Sequence, residues 1–92
     1  MAPMDTHQVD EQLKAMRGWE RHDNEIRKEF KFAGFKQAIA FVNKVADAAE
    51  AADHHPDIDI RYNKVKMKLS THSEGGITDK DFALAAEIER AA

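Results

Sequence analysis

The sequence predicts an α+β domain: a four-stranded antiparallel sheet with three α-helices packed on one face, in the order α-β-β-α-β-β-α. Three observations predict it. The apolar spacing passes from a helical period to a strand period and back again along the chain. Each strand-like stretch divides around a short polar turn, as a hairpin does. The chain has 92 residues, 42% apolar and 34% charged with mixed sign, which is enough for one compact core and too little for two, so residues 1–92 are expected to form a single domain.

Val9, Leu13 and Met16 recur at helical spacing and predict a short first helix, with Gly18 as its stop. Trp19 then opens an extended segment. His22, Asp23 and Asn24 supply turn chemistry, and a strand follows over Ile26 to Phe32, in which Lys28 interrupts the alternation of Ile26, Phe30 and Phe32. From Phe35 to Ala52 the period is helical. One stripe holds Phe35, Ile39, Val42, Ala46 and Ala49, and a second holds Ala38, Phe41, Val45, Ala48 and Ala52. Together they span about half the circumference, more than a helix lying on one surface needs. Two readings stand: part of the face, Phe41 included, meets another subunit, or the alanines are there for helix propensity and tolerate water.

Ile58, Ile60 and Tyr62 alternate, as do Val65, Met67 and Leu69, and Asn63-Lys64 between them reads as a two-residue hairpin loop. Thr78 and Asp81 have capping-box spacing, and Ile77 is placed to staple onto Phe82, so a last helix is expected to run to about Arg90.

Composition narrows the function. With no cysteine, disulfide scaffolds, thiolate metal sites and cysteine nucleophiles are excluded. The 14 basic and 17 acidic residues show no basic cluster, which argues against direct nucleic-acid binding and favours a protein partner. No stretch approaches the ~20 apolar residues of a membrane span, and Met1 to Asp10 has no signal-peptide character, so the cytoplasm is the expected compartment. A chain this small with no covalent staple is expected to gain stability by self-association.

The chemistry gathers around histidine. Of the five, His54 and His55 precede the second hairpin and His72 follows it. Pairing Tyr62 with Val65 sets Ile58 opposite Leu69 and His55 opposite His72, with Cβ atoms about 5 Å apart. Pro56 removes a ladder donor at that end, so proximity is a firmer expectation than orientation. Convergent imidazoles can both give and take protons from one substrate. The competing reading is three ordinary loop histidines on a polar surface. Zinc is disfavoured, because adjacent histidines chelate one ion poorly and no HxxxH or HExxH spacing occurs. Glu50, four residues before His54, either reaches the histidines or stays solvated on the helix edge. Ser73-Glu74-Gly75-Gly76 adds flexible backbone with exposed N–H groups beside His72. No GxGxxG or GxxxxGK[ST] motif is present, so a phosphate cradle is not expected.

Asp53-His54-His55-Pro56, Tyr62-Asn63-Lys64-Val65 and Leu69-Ser70-Thr71-His72 together closely resemble pterin-4a-carbinolamine dehydratases. Gly18-Trp19, Phe30-Lys31-Phe32 and Asp81 with Leu84-Ala85 extend the resemblance to nearly the whole chain. It implies the same α+β fold, assembled into homodimers or homotetramers. It implies loss of water from 4a-hydroxytetrahydrobiopterin to give quinonoid dihydrobiopterin, in tetrahydrobiopterin recycling, with the pterin as substrate and no resident cofactor or metal. The catalytic residues it implies are His54, His55 and His72. Pro56, Thr71, Ser73 and Glu74 would line the pterin site, with Glu50 and Asp81 as polar support. Vertebrate relatives also serve as dimerisation cofactors of a homeodomain transcription factor, which implies an alternative role through the long helix and a nuclear fraction. Two departures stand out: Ile58 where an aromatic residue is common, and Lys80 where arginine is.

Overall fold

The computed structural model describes residues 2–92. Its elements are α1 (Thr6–Leu13), β1 (Glu20–His22), β2 (Glu25–Lys31), α2 (Phe35–Ala52), β3 (Asp57–Arg61), β4 (Lys64–Leu69), a 3₁₀ turn (His72–Glu74) and α3 (Asp79–Ala91). The strands form one antiparallel sheet in the order β1-β2-β4-β3, which is the α+β arrangement expected. Each hairpin contributes one central and one edge strand.

One sheet face makes the core. Ile26 and Phe30 of β2 and Val65, Met67 and Leu69 of β4 are buried against Val9 of α1, Ala38, Phe41 and Val45 of α2, and Leu84, Ala85 and Ile88 of α3. Full burial of side chains this size stabilises by roughly 1.5–3 kcal/mol each, before chain entropy is set against it. Lys28 interrupts the alternation because it lies on this inner face. Its Nζ reaches the Glu89 carboxylate of α3, donates to the Arg17 carbonyl at 3.0 Å and sits 4.8 Å from the Phe30 ring centroid. The stem fills space and the charge is neutralised at the rim, as long amphipathic side chains allow.

Both hairpins turn at a non-glycine residue in the left-handed region, Asp23 (φ 54°) and Tyr62 (φ 54°). The second turn changes the expected register. The loop is Tyr62-Asn63 rather than Asn63-Lys64, because Tyr62 takes the left-handed conformation, Asn63 Nδ2 donates to the Phe32 carbonyl, and the Asn63 carbonyl accepts from Phe32 N. Ile58 therefore faces Met67 and Ile60 faces Val65, a slip of two residues from the expected pairing. A two-residue slip keeps every side chain on its predicted face, so the core pattern survives while the partners change. The ladder stops at Asp57–Lys68, so His55 and His72 are not paired across strands.

Two helix expectations also change. α1 ends at Leu13, and residues through Gly18 form turns; Gly18, at φ +88°, turns the chain into the sheet rather than capping the helix. Any Cβ there would lie 2.9 Å from the Lys28 side chain. On α2, the buried residues are Ala38, Phe41, Val45 and Ala49. Phe41 is packed between Phe30 and Phe32, with both ring centroids at 4.9 Å, so it belongs to the core and not to an association face. The stripe left outward holds Phe35, 51% exposed, with Ile39 and Val42 half-buried.

The carboxyl-terminal helix begins as its spacing predicts. Thr78 Oγ1 accepts from Lys80 N at 3.2 Å, and Asp81 Oδ2 accepts from Thr78 N at 2.9 Å, a capping box flanked by buried Ile77 and Phe82. Caps of this kind stabilise a helix by about 1 kcal/mol. The amino-terminal segment is tied to the same corner, with Met4 N donating to the Ile77 carbonyl at 2.8 Å.

Candidate active site

Two short segments meet where α2 ends and where β4 gives way to α3. α2 stops at Asp53, which adopts the left-handed conformation (φ 50°, ψ 42°) and donates its N–H to the Ala49 and Glu50 carbonyls. An aspartate here bears a conformation usually left to glycine or asparagine. The reversal sends His54 and His55 across the end of the sheet. On the other segment, Thr71 and Gly76 form an isolated antiparallel bridge, with N···O distances of 2.8 and 3.3 Å. It pinches off residues 72–75 as a tight excursion: Glu74 N bonds to the Thr71 carbonyl and Gly75, at φ 75°, bonds to the His72 carbonyl.

Between them lies an open cleft of ≈ 410 Å³ lined by Asp53, His54, His55, Ser70, Thr71, His72, Ser73 and Lys80. A larger hollow of ≈ 650 Å³ lies on the outer sheet face among Glu29, Asp59, Arg61, Tyr62, Asn63, Lys64 and Lys66. Its lining is mostly ions and an exposed tyrosine, with no histidine among them, so volume is a poor guide here and chemistry selects the smaller cleft.

The two adjacent histidines differ in their surroundings. His54 Nε2 lies 2.6 Å from Asp81 Oδ1, the ring side chain 12% exposed and the carboxylate fully buried. Asp81 Oδ2 accepts from Thr71 Oγ1 at 2.9 Å as well as from Thr78 N, and the Thr71 and Thr78 hydroxyls are 2.8 Å apart. His55 Nε2 lies 2.5 Å from Glu50 Oε2, with side chains 57% and 77% exposed. His72 is exposed on the 3₁₀ turn.

The three histidines expected together thus line one cleft, with Thr71 and Ser73. Glu50 reaches it through His55 rather than His54, and Asp81 supports it from beneath without lining it. Pro56 and Glu74 lie beside it in the chain and are not among the lining residues. Asp53, Ser70 and Lys80 line the cleft without having been predicted to, and so does the hydroxyl role of Thr78 beneath it go beyond its cap. Asp53 and Ser70 were legible only as members of the DHHP and Leu69–His72 runs, and Lys80 only as a departure beside Asp81. Among the described residues, no three His, Asp or Glu side chains converge as a metal ion requires.

The fold and cleft define a small α+β protein with an imidazole-lined cleft in which two histidines meet carboxylates. The profile of the pterin 4 alpha carbinolamine dehydratase family matches residues 2–91. The chain belongs to that family. It is 57% identical over 82 residues to a protein of Roseiflexus castenholzii provisionally named a pterin-4-alpha-carbinolamine dehydratase, covering 89% of this chain and 88% of that one. The crystal structure of a transcriptional coactivator/pterin dehydratase from Brucella melitensis superposes with a TM-score of 0.94 at 36% identity, over 98% of each chain. A pterin dehydratase-like RuBisCO assembly factor of the alpha-carboxysome shares the fold, with a TM-score of 0.71 at 24% identity over 84% of this chain and 92% of that one.

Proposed function

We propose that this protein removes water from 4a-hydroxytetrahydrobiopterin by histidine general acid–base catalysis, yielding quinonoid dihydrobiopterin for tetrahydrobiopterin recycling. The observation that carries the reading is the cleft that draws His54, His55 and His72 from two chain segments onto one surface. Dehydration asks for two proton movements. One proton is delivered to the departing C4a hydroxyl, and one is removed from the ring nitrogen beside it, whose electron pair then forms the new C=N bond. Imidazole suits both tasks near neutral pH. In this reading Thr71 and Ser73, which line the cleft beside His72, contact the ligand, with Pro56 and Glu74 as their neighbours in the chain. Glu50 orients His55, and Asp81 orients His54. The pterin is the substrate, and no resident cofactor enters the scheme.

The test follows decay of enzymatically generated 4a-hydroxytetrahydropterin. The pure protein should accelerate it, and replacing all three histidines with alanine should abolish the acceleration; full activity in the triple variant refutes the reading. Since acid–base groups each supply about 10²–10⁴-fold, single variants retain part of the rate through their neighbours.

The same reading includes a homodimer or homotetramer. Support comes from the exposed edge strand β3, where Ile58, Ile60 and the adjacent Tyr62 are exposed, and from the outward α2 stripe with Phe35. An exposed apolar edge is otherwise an aggregation liability. Phe35→Glu and Ile60→Lys should each lower the mass measured by light scattering; a wild-type mass of one 10.4 kDa chain refutes the oligomer, and an unchanged oligomeric mass in both variants refutes these two surfaces. The coactivator function in the name of the Brucella relative favours one second reading, a non-catalytic partner docked on the same α2 stripe. Retained dehydration with partner capture lost in Phe35→Glu would support it.

A further inference from the structure

Beneath the cleft, the buried polar groups form one chain whose proton directions can be counted. Asp81 stands in the first turn of α3, and a carboxylate there serves its neighbours as an acceptor. The single Thr71 hydroxyl proton is committed to Asp81 Oδ2. Thr71 Oγ1 therefore has only lone pairs to offer Thr78, and the Thr78 hydroxyl must donate to it across 2.8 Å. Thr78 Oγ1 in turn accepts from Lys80 N, a backbone donor that cannot reverse. Oδ2 is thereby filled by Thr71 Oγ1 and Thr78 N, and Oδ1 is left facing His54 Nε2 at 2.6 Å. The three groups that build this chain, Thr71, Thr78 and Asp81, are all buried, so water does not compete for these bonds.

We propose that Thr78 is a positioning residue. Its hydroxyl is the first donor of a chain running Thr78 to Thr71 to Asp81 that fixes His54 as the Nε2–H tautomer and leaves Nδ1 as the ring atom that accepts a proton. The role goes beyond its function as a helix cap. Thr71 couples the two halves of the site: its hydroxyl sets the Asp81–His54 pair, and its backbone closes the bridge that carries His72. What Nδ1 acts on rests on the dehydration reading. In that reaction the pterin N–H bond breaks and an N–H bond forms at His54 Nδ1. The freed electron pair becomes the C=N bond, the C4a–O bond breaks, and the oxygen leaves as water with a proton from a second, protonated imidazole of the cleft. Solvent then resets both rings.

The tautomer is measured without substrate. Long-range ¹H–¹⁵N NMR of the full chain, at a pH where the rings are neutral, should give His54 a pyridine-like Nδ1 and a pyrrole-like Nε2. Thr78→Val and Thr71→Val should move both signals toward averaged values, while Thr78→Ser keeps the wild-type pattern. In turnover, kcat should fall about tenfold in Thr78→Val with KM little changed, and stay within about twofold of wild type in Thr78→Ser. A pyrrole-like Nδ1 in the wild type overturns the inference, and so does a loss of kcat in Thr78→Val with unaltered nitrogen shifts, which would be loss of the cap alone. If the valine variants do not fold, the wild-type spectrum still decides. An intact Nε2–H signature in a protein that does not dehydrate the pterin refutes the proposed function and leaves the chain standing; full dehydration with an Nδ1–H signature does the reverse.

Discussion

His54 and His55 are consecutive, and each meets a carboxylate at hydrogen-bond distance, yet the first carboxylate is buried beneath the cleft and the second stands in water. The difference lies in what surrounds the acid. Asp81 is held by a hydroxyl and a backbone N–H besides the imidazole, so the pair is one bond of a satisfied network. Glu50 stands on the last turn of α2, where both side chains are exposed and solvent screens the attraction. Identical chemistry one residue apart therefore divides into a fixed element and an adjustable one.

The strongest way to break this comparison is to remove the buried acid. Asp81→Ala orphans the Thr71 hydroxyl, the Thr78 N–H and His54 Nε2, and should cost about 2–4 kcal/mol in urea denaturation. A loss below 1 kcal/mol would mean that the buried acid is no anchor. Next in size, His54→Ala leaves a buried carboxylate short of a partner and should destabilise by about 1–3 kcal/mol, whereas His55→Ala should stay within about 0.5 kcal/mol by the same measurement. Asp53 serves both pairs, because its left-handed turn launches the two histidines. Asp53→Ala should cost about 1 kcal/mol, and Asp53→Gly should match or exceed wild-type stability in thermal unfolding. The smallest effect sharpens the contrast: Glu50→Gln should change stability by no more than about 0.5 kcal/mol at about 0.05 M salt and by nothing measurable at about 0.5 M. A persistent salt-independent loss would place Glu50 in the fixed category.

Much of this architecture was legible in the sequence, for identifiable reasons. Periodicity located both hairpins, the long helix and the capping box of α3, since each is a local property of neighbouring residues. The register of the second hairpin was not legible, because it depends on Tyr62 adopting a left-handed conformation that its residue type does not advertise. Phe41 was equally hidden: α2 has two apolar stripes, and only the docking of Phe30 and Phe32 decides which is inside. At the site, the hairpin arithmetic brought three histidines that share a cleft together through an incorrect pairing, because His54, His55 and His72 flank the same hairpin in either register. The bond from His54 to Asp81 spans 27 positions and appears only once α3 packs against the end of α2. Thr78 and Asp81 were readable as a cap, while their hold on an imidazole belonged to tertiary structure.

The bridge between Thr71 and Gly76 has a consequence at the far end of the chain. A Cβ added at Gly76 would meet Pro3 at 3.0 Å, and the next residue, Ile77, receives the N–H of Met4. Residues 3 and 4 thus act as a strap across the base of the His72 excursion. Trimming or refolding that strap would slacken a corner of the histidine-lined cleft, so expression tags and truncations there deserve the same scrutiny as substitutions among the histidines.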